Sequence, residues 1–344
     1  MKHIDGSLGE GGGQVLRSAI GLACVTGEPV CIDNIRAKRD KPGLRPQHVK
    51  CVEAAAIICG GTYQGVTVQS SRVTFHPGKV QPGDYHFDIG TAGSTALVLQ
   101  TLLPPLLMAG DHSSVTVTGG THNPMAPTAH FLHHCFAQAL RRLGASVGFQ
   151  LLRPGFYPRG GGKLVMHLSP RPLGRIDWTQ RGALVSVRAD ILIVDLPFHV
   201  AQREMQAVRE HLRASGWPLP AVTVREPENA TGPGNVVSIR AIYEQADEVF
   251  SSFGRKGVPA ETVAKEAAQS ALHWLLSGVP VGPHLADQLL IPMALAGGGS
   301  FVTTALDQHT PTNAAVVEQM VGVKTTFETI EQDRVLVRVG DRAD

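Results

Sequence analysis

Several features that would classify the chain at once are scarce. Lys and Arg number 31 against 29 Asp and Glu, so the formal net charge is only +2 and any contact with nucleic acid must depend on a local basic patch. Aromatic residues make up 5% of the chain, which disfavours a ladder of rings stacked on single-stranded bases. The apolar run at 96–108 is interrupted by Pro104 and Pro105 and is shorter than the roughly 20 residues needed to span a bilayer. We therefore expect no membrane role.

Cysteine usage is also sparse and irregular. The five cysteines are Cys24, Cys31, Cys51, Cys59 and Cys135. Their number is odd and they form no close pair of the kind that binds zinc, while residues 1–10 carry charged side chains rather than a secretory leader. We therefore expect a reducing, cytoplasmic location. The length of 344 residues and the 43% hydrophobic content allow a large core and predict about two or three domains.

Three stretches of the chain share one order of predicted elements. Residues 9–76, 88–168 and 284–339 each read as helix, strand, helix, strand, strand, after a glycine-bearing or polar loop. A unit of this kind places its helices on one face of a sheet and cannot close a core alone. We therefore predict an α/β (α+β) fold in which three repeated two-helix and β-sheet units pack around a common helical core. That arrangement would bring the three opening loops together.

Residues 183–276 depart from this order. They contain alternating apolar patterns typical of strands and two helix patterns. Segments with glycine or proline at 180–182 and 277–280 flank them and can serve as hinges. The prediction is a smaller inserted α/β domain at 183–276, within a main domain formed by 1–182 and 277–344.

The first opening loop places a carboxylate beside a run of glycines. Glu10 precedes Gly11, Gly12 and Gly13 at the predicted start of a helix. Glycines let the backbone approach a phosphate closely, and the amide groups of a helix N-terminus attract anions. The run matches neither the dinucleotide fingerprint nor the P-loop pattern, so a purely structural turn is the alternative. The similar loop at 90–94 favours a nucleotide or phosphate site.

The most basic segment lies between a predicted strand and a predicted helix. Residues 36–50 contain six Lys and Arg side chains, and Asp40 is the segment's one acidic residue. Pro42 and Gly43 stiffen and turn the loop. This concentration of positive charge suits the phosphates of a nucleic-acid end. A solvated surface loop is the alternative interpretation.

His309 lies at a predicted corner between a strand and a helix. An apolar strand pattern at 301–306 precedes it, and Thr310 and Pro311 suit the N-cap and the first position of the helix that follows. Three polar side chains can converge on this imidazole, namely Asp287, Gln288 and Asn313. A hydrogen bond to one ring nitrogen would fix the tautomer and leave the other nitrogen as a nucleophile. A histidine that only orders the turn is the alternative.

Seven motifs in this order resemble those of one known family. They are Gly9-Glu-Gly-Gly-Gly-Gln-Val-Leu-Arg-Ser18, residues 36–47, Asp88-Ile-Gly-Thr-Ala-Gly-Ser94, Gly119-Gly-Thr-His-Asn-Pro-Met-Ala-Pro127, Pro158-Arg-Gly-Gly-Gly162, His284-Leu-Ala-Asp-Gln288 and Asp307-Gln-His309. Through them the chain closely resembles RNA 3'-terminal phosphate cyclases over nearly its whole length. The segment predicted as an insertion stands where that family has one.

The resemblance implies an ATP-dependent reaction on an RNA that ends in a 3'-phosphate. His309 matches the family's nucleophile, which would attack ATP to give a histidyl-AMP. The AMP would pass to the RNA 3'-phosphate, and the adjacent 2'-OH would displace it to form a 2',3'-cyclic phosphodiester. AMP and pyrophosphate would be released. A divalent cation, Mg²⁺ or Mn²⁺, would offset the negative charge.

The resemblance also implies roles for individual residues. Glu10 matches the carboxylate near the metal and the triphosphate, and Gln100 matches an ATP contact. The other ATP-binding residues would be Pro127, Phe253, His284, Leu285, Ala286, Asp287 and Gln288, with Phe250 as the competing choice for Phe253. The RNA phosphates would meet Arg17, Arg36, Arg39 and Arg45. Many relatives have tyrosine at position 284, so we expect the smaller histidine ring to change adenine affinity or selectivity.

Two alternatives to this function stay open at the level of sequence. A cyclase-like protein without catalysis, which binds RNA in ribosome assembly, would be expected to lack the nucleophile that His309 supplies. An enolpyruvyl-type transferase shares repeated units of this kind but acts on small anionic substrates without a covalent histidyl-AMP. The expected partners are RNA with a 3'-phosphate end and ATP, with no obligate protein partner.

Overall fold

The computed structural model describes residues 1–342, in which one order of elements occurs three times. The first unit comprises β1 (Lys2–Asp5), α1 (Gly13–Thr26), β2 (Val30–Asp33), α2 (Pro46–Cys59), β3 (Thr62–Gln64) and β4 (Val73–His76). The second comprises β5 (Asp84–Asp88), α3 (Thr95–Leu107), β6 (Ser113–Gly119), α4 (Ala129–Phe131), a π-helical turn (Leu132–Phe136), α5 (Ala137–Arg142), β7 (Ser146–Arg153) and β8 (Gly162–Ser169). Helix α4, the π-helical turn and α5 follow one another directly and together replace the single helix predicted there.

The third unit is interrupted after its first strand, β9 (Ile176–Trp178). The interrupting elements are β10 (Leu184–Val194), α6 (Phe198–Ala214), β11 (Ala221–Arg225), β12 (Gly234–Tyr243), β13 (Asp247–Phe253) and α7 (Ala260–Ser277). The unit resumes with α8 (Pro283–Leu295), β14 (Gly299–Thr304), α9 (His309–Val321), β15 (Val323–Glu331) and β16 (Arg334–Arg342).

Each unit forms a four-stranded mixed sheet with the same topology. The strand orders are β1-β2-β4-β3, β5-β6-β8-β7 and β9-β14-β16-β15. In each sheet the first strand of the unit runs parallel to the second, because a helix crosses over between them. This shared topology confirms the predicted repeats.

The first strand of every unit is missing from the predicted pattern. Strands β1, β5 and β9 have the sequences KHID, DYHFD and IDW. KHID and IDW are too short to show a strand periodicity, while DYHFD alternates polar and apolar residues over only five positions, so the order predicted for each unit is corrected to begin with a strand. Because β9 pairs with β14, the third unit begins before residue 183.

The interrupting segment has its own sheet, with the order β11-β10-β12-β13. Helix α6 packs on β10, and α7 packs on β12 and β13. The segment therefore has the α/β composition expected for residues 183–276. Its status as a separate domain stays a prediction.

Helix α1 is the centre of the helical core. It packs against α2, α3 and α9, which belong to both neighbouring units as well as its own. Val15 and Ile20 are fully buried, and a Cβ at Gly21 would lie 2.8 Å from the carbonyl oxygen of Thr101 on α3. Only glycine allows this close approach of the two helices. Among the described helices, none combines the length and apolar character that crossing a membrane requires.

Polar side chains join the three units at one end of this core. The pairs are Gln14 with Asp287, Gln47 with the backbone N–H of Ser94, and Gln100 with Gln288. They link the first unit to the third, the first to the second, and the second to the third. The opening regions of the units therefore meet, as the repeat pattern predicts.

A carboxyl group is buried in the interrupting segment without full hydrogen bonding. Glu204 on α6 is fully buried, and its Oε2 accepts from Asn235 Nδ2 at 2.9 Å. Glu204 Oε1 and Asn235 Oδ1 have no hydrogen-bond partner. Burial raises the pKa of Glu204 to about 7. A proton on Oε1 would let it donate to an amide oxygen and would avoid a buried charge.

We predict that Glu204→Gln makes stability less dependent on pH. The raised pKa stabilises the folded state fully below the usual value of 4.5, and that contribution is lost as pH rises through about 7. The wild type should lose about 3 kcal/mol from this group, while the glutamine should lose nothing. Urea unfolding between pH 4.5 and 8 measures the difference. The exposed Glu210 on the same helix supplies the control Glu210→Gln, and equal slopes for all three proteins would contradict the assignment.

Candidate active site

A cavity of about 540 Å³ lies where the opening regions of the units meet β13. The N-termini of α1, α8 and α9 and the segments preceding α2 and α4 contribute to its wall. The predicted site residues that line it are Glu10, Arg17, Arg36, Arg39, Arg45, Pro127, Phe253, His284, Asp287, Gln288 and His309. Most of the residues that the motifs indicate are therefore brought together in one place.

Three predicted ATP-binding residues do not line this cavity. Leu285 and Ala286 are fully buried and face the core from α8. Gln100 lines a second cavity of about 60 Å³, where its amide nitrogen donates to Gln288. In this structure Gln100 thus supports a residue of the large cavity rather than facing it.

His309 is the first residue of α9, so the predicted start of this helix is corrected. The carboxylate of Asp307 accepts from the backbone N–H groups of His309 at 3.0 Å and Thr310 at 3.4 Å. Asp307 therefore does the capping predicted for Thr310, whose buried hydroxyl has no hydrogen-bond partner. The prediction failed because an Asp two residues before the helix was available to cap it.

The Nδ1 atom of His309 faces two oxygen atoms. It lies 3.2 Å from Glu10 Oε1 and 3.3 Å from Gln14 Oε1. The amide nitrogen of Gln14 donates to Asp287, which directs its oxygen toward the ring. With acceptors around it, Nδ1 carries the proton and Nε2 keeps the lone pair. The side chain of His309 is 45% exposed, so a ligand in the cavity can reach it.

Asp287 is the centre of the buried network behind the imidazole. Its carboxylate accepts from Gln14 and, at 3.0 Å, from Gln288 Nε2, while its carbonyl oxygen accepts from Asn313 Nδ2 at 3.0 Å. The hydrogen bonds from Asp287 and Gln288 therefore reach His309 through Gln14, and the expected approach of Asn313 to the ring is wrong, because its amide bonds to Ser18 and Asp287 instead. Gln14 is a site residue that the prediction missed. Its place directly after the glycine run was the available signal.

Charges around the ring shift several pKa values. The hydrogen bond to Glu10 is the main cause that raises the pKa of His309. Burial alone would raise the pKa of Glu10, but His309 and Arg39 together hold it below its usual value. Burial raises the pKa of Asp287 to about 6. At neutral pH the ionised Glu10 therefore favours positive charge on the imidazole.

Side chains of the site fold closely over the glycine run, and a Cβ in the run would displace them. A Cβ at Gly12 would lie 2.2 Å from Glu10 Oε1, and one at Gly13 would lie 2.2 Å from His48 Nε2. Helix α1 begins at Gly13, and no side chain caps its N-terminus. Uncapped amide groups at a helix N-terminus attract anions, which agrees with the phosphate loop that the sequence predicts.

The four predicted RNA-binding arginines form a positive wall, which we define as Arg17, Arg36, Arg39 and Arg45. Arg39 Nη2 lies 2.5 Å from Glu10 Oε2. Arg36 also holds its own loop, since its Nη1 donates to the carbonyl oxygens of Lys41 at 2.6 Å and Gly43 at 3.0 Å. Burial, followed by the charges of the other arginines, lowers the pKa of Arg36. Such closely grouped cations are suited to a phosphate.

His48 belongs beside this positive wall, although no sequence signal assigned it a role. Its Nδ1 accepts from the backbone N–H of Arg45 at 3.0 Å, so in the neutral ring Nε2 carries the proton and can donate. Burial is the main cause that lowers its pKa, and the arginines add to the effect. His48 is therefore a neutral donor at a site for anions. Its position within the basic segment 36–50 was the one indication available.

Another part of the cavity wall is apolar and aromatic. Pro127, His284 and Phe253 line it together with Phe250, the competing choice for the nucleotide contact. Phe250 is 8% exposed and packs on Trp274 with ring centroids 5.8 Å apart, whereas Phe253 is partly exposed. His284 is exposed on the cavity wall, where partial desolvation by its neighbours lowers the pKa of its ring. Phe253 and His284 thus present the ring surface that a base could stack on.

Known relatives cover almost the whole chain. The family model described as RNA 3'-terminal phosphate cyclase matches residues 8–327. A protein of that name from Ectopseudomonas mendocina is 46% identical over 334 residues, which are 97% of this chain and 96% of the relative. Those from Pseudomonas fluorescens and Ralstonia nicotianae are 47% and 44% identical, over 98% of this chain and 97% and 96% of their own lengths. The chain therefore belongs to the RNA 3'-terminal phosphate cyclase family.

Proposed function

We propose that the protein uses ATP to convert an RNA 3'-terminal phosphate to a 2',3'-cyclic phosphodiester, with release of AMP and pyrophosphate. The observation that carries this proposal is the imidazole of His309, whose Nδ1 faces Glu10 and Gln14 while Nε2 is free to attack. The positive wall and the aromatic residues line the same cavity. Phosphates and a base are the parts of ATP and RNA that these surfaces suit.

In the first step, Nε2 of His309 attacks the α-phosphorus of ATP. A P–N bond forms, the bond from that phosphorus to the bridging oxygen breaks, and pyrophosphate leaves with the electron pair. The ring becomes positive as its lone pair is used, and ionised Glu10 beside Nδ1 stabilises this charge. Gln14, held by Asp287, keeps the ring in the orientation for attack.

The next two steps transfer AMP and close the ring. An oxygen of the RNA 3'-phosphate attacks the same phosphorus, which breaks the P–N bond and restores the imidazole. The 2'-OH then attacks the 3'-phosphorus, loses its proton and displaces AMP. A phosphate monoester has no good leaving group, and the attached AMP supplies one, while the neighbouring hydroxyl gains from an intramolecular reaction. The positive wall would bind the RNA phosphate throughout.

A divalent cation, Mg²⁺ or Mn²⁺, belongs to this proposal. Magnesium is commonly bound by one or two carboxylates together with substrate phosphates. Glu10 places such a carboxylate on the cavity wall and fits this role. A bound cation would offset phosphate charge. Among residues 1–342, the cluster of three side chains with metal-binding geometry, which is His3, Cys31 and Asp33, lies outside this cavity.

These observations give less support to two other functions. A cyclase-like RNA-binding protein without catalysis needs no oriented nucleophile, and His309 is present with its tautomer set. An enolpyruvyl-type transferase belongs to another family. We also propose that the protein acts in the cytoplasm without an obligate protein partner, and its five buried cysteines, which form no disulfide, are compatible with a reducing compartment.

His309→Ala should abolish covalent labelling by α-labelled ATP. The wild type should retain label after denaturation because the P–N bond is covalent, and gel analysis in Mg²⁺ or Mn²⁺ measures it. The control is His199→Ala, because His199 is exposed and lies outside the cavity. Retained label on His309→Ala would show that another residue is the nucleophile. An unlabelled wild type in both metals would favour the RNA-binding alternative.

The rate of adenylylation should fall at acidic pH, and Glu10→Gln should move that fall to lower pH. The attacking ring must be neutral, and its pKa is raised chiefly by the hydrogen bond to Glu10. Without this carboxylate the pKa should drop, so a larger fraction of the ring stays neutral in mild acid. Single-turnover rates between pH 5 and 9 measure the shift, even if the variant is slower at every pH. If the rate falls at the same acidic pH in both proteins, Glu10 does not raise the pKa of His309.

An oligonucleotide with a 3'-phosphate but a terminal 2'-deoxyribose should be adenylylated and should not cyclise. It carries the phosphate that accepts AMP and lacks the hydroxyl that displaces it. We expect the activated end to accumulate in chromatography or mass spectrometry, whereas the matched ribose end proceeds to the cyclic product. Formation of a cyclic end from the deoxy substrate would refute the final step.

A further inference from the structure

Three walls of the large cavity meet at one buried carboxyl group, that of Glu248. The residues preceding α4 and α4 itself supply Pro127, Thr128 and Phe131; β13 supplies Val249, Phe250, Ser251 and Phe253; α8 supplies Pro283, His284, Asp287 and Gln288. Glu248 lies on β13 beside this lining, is 2% exposed, and does not itself face the cavity. It touches none of the reacting groups of the proposed mechanism.

The side chain of Glu248 hydrogen-bonds to the start of α8 and to its own strand, and it lies near the π-helical turn that continues α4. Its Oε2 accepts from the backbone N–H of Gly282 at 2.8 Å, at the start of α8. Its Oε1 accepts from the N–H of Val249 at 3.4 Å on its own strand. Cys135, in the π-helical turn that continues α4, lies near enough to this carboxyl group to lower its pKa, although less than burial raises it.

Gly282 is the N-cap residue of α8, and this helix has no side-chain cap from its own sequence. Glu248 therefore supplies the acceptor for that end from a different part of the fold, where a carboxylate also interacts favourably with the helix dipole. His284 and Asp287 stand two and five positions after Gly282, on the first two turns of the helix whose start this bond fixes.

The contact is close enough to require glycine on the helix side. Gly282 has φ −77° and ψ 166°, a backbone conformation that alanine adopts without strain. A Cβ there would nevertheless lie 2.4 Å from Glu248 Oε2. Glycine at this position therefore makes room for the carboxyl group of Glu248 and is not needed for the backbone conformation.

Burial of this carboxyl group is costly, and burial raises its pKa to about 7. An apolar side chain would join β13 to α8 without that cost. What an apolar side chain cannot supply is a directional bond that sets the position of α8 relative to the strand. The observations therefore favour a role in geometry over a role in stability.

We propose that Glu248 is a positioning residue, which sets the separation between the aromatic side chains of β13 and the first turn of α8 and thereby the affinity for the nucleotide base. The inference rests on the proposed function, because it takes ATP as the ligand of this cavity. Glu248 acts through Phe253 and His284, which would contact the base, and has no part in the attack of His309.

The first test is Glu248→Ala in the full chain. We expect KM for ATP in single-turnover adenylylation to rise about tenfold, the size of effect that one lost hydrogen bond of about 1.4 kcal/mol produces. The rate at saturating ATP should stay within about twofold of the wild type, since Glu10 and Gln14, which contact His309 directly, belong to the first unit. Glu248→Gln retains an oxygen acceptor for Gly282 and should keep most of the affinity.

The second test approaches the contact from the helix. Gly282→Ala should raise KM by a similar factor, because its methyl group displaces the carboxyl group of Glu248. In the double variant with Glu248→Ala the two effects should be less than additive, since one contact is lost in both. Gly148→Ala is the matched control, because a Cβ at Gly148 meets nothing within 4 Å.

Calorimetric titration with ATP accompanies the kinetics, so binding is measured even if no adenylate forms. If the wild type binds ATP but forms no adenylate, the proposed function is wrong. The binding constants of the variants would then still test the positioning role. Unchanged ATP affinity in Gly282→Ala, or in a folded Glu248→Ala, would overturn the positioning role. A lower melting temperature with unchanged affinity would show that Glu248 only stabilises the fold. If Glu248→Ala does not fold, the ATP affinities of Gly282→Ala and Glu248→Gln test the positioning role.

Discussion

The contact between His309 Nδ1 and the oxygens of Glu10 and Gln14 is the interaction on which the site depends, and it joins two different units. His309 begins α9 in the third unit, while the other two residues stand at the start of α1 in the first. The packing of α1 against α9 therefore sets the orientation of the nucleophile. One turn deeper, Ser18 Oγ donates to Asn313 Oδ1 at 2.7 Å and holds the same pair of helices in register.

The same constraint explains why so much polar chemistry is buried at the end of a helical core. Each amide or carboxylate there has a partner from another unit, as Gln14 has in Asp287 and Gln100 in Gln288. A buried polar group that lacks its partner is costly, so these pairs specify a single arrangement of the three units. The network that orients the imidazole is thus also part of what aligns the units.

How far the sequence predicts this arrangement depends on how local each signal is. The repeats and the meeting of their opening regions follow from periodicity, since it is written along the chain. The capping of α9 by Asp307 and the roles of Gln14 and His48 do not, because they arise from contacts across loops or units. The family resemblance assigns Gln100 and Leu285 to ATP, yet neither lines the large cavity, because packing decides which side of a helix faces a ligand.

The place of the interrupting segment follows from the same geometry. In every unit the connection from the first strand to the first helix ends at the shared end of the core, and this connection holds Glu10 in the first unit and residues 90–94 in the second. In the third unit the connection has grown to hold β10 through α7. The chain re-enters the third unit beside the cavity, at Pro283, and the inserted β13 lines the cavity as well. Strand β13 can therefore supply Phe250 and Phe253 to a site whose reactive groups all belong to the repeated units.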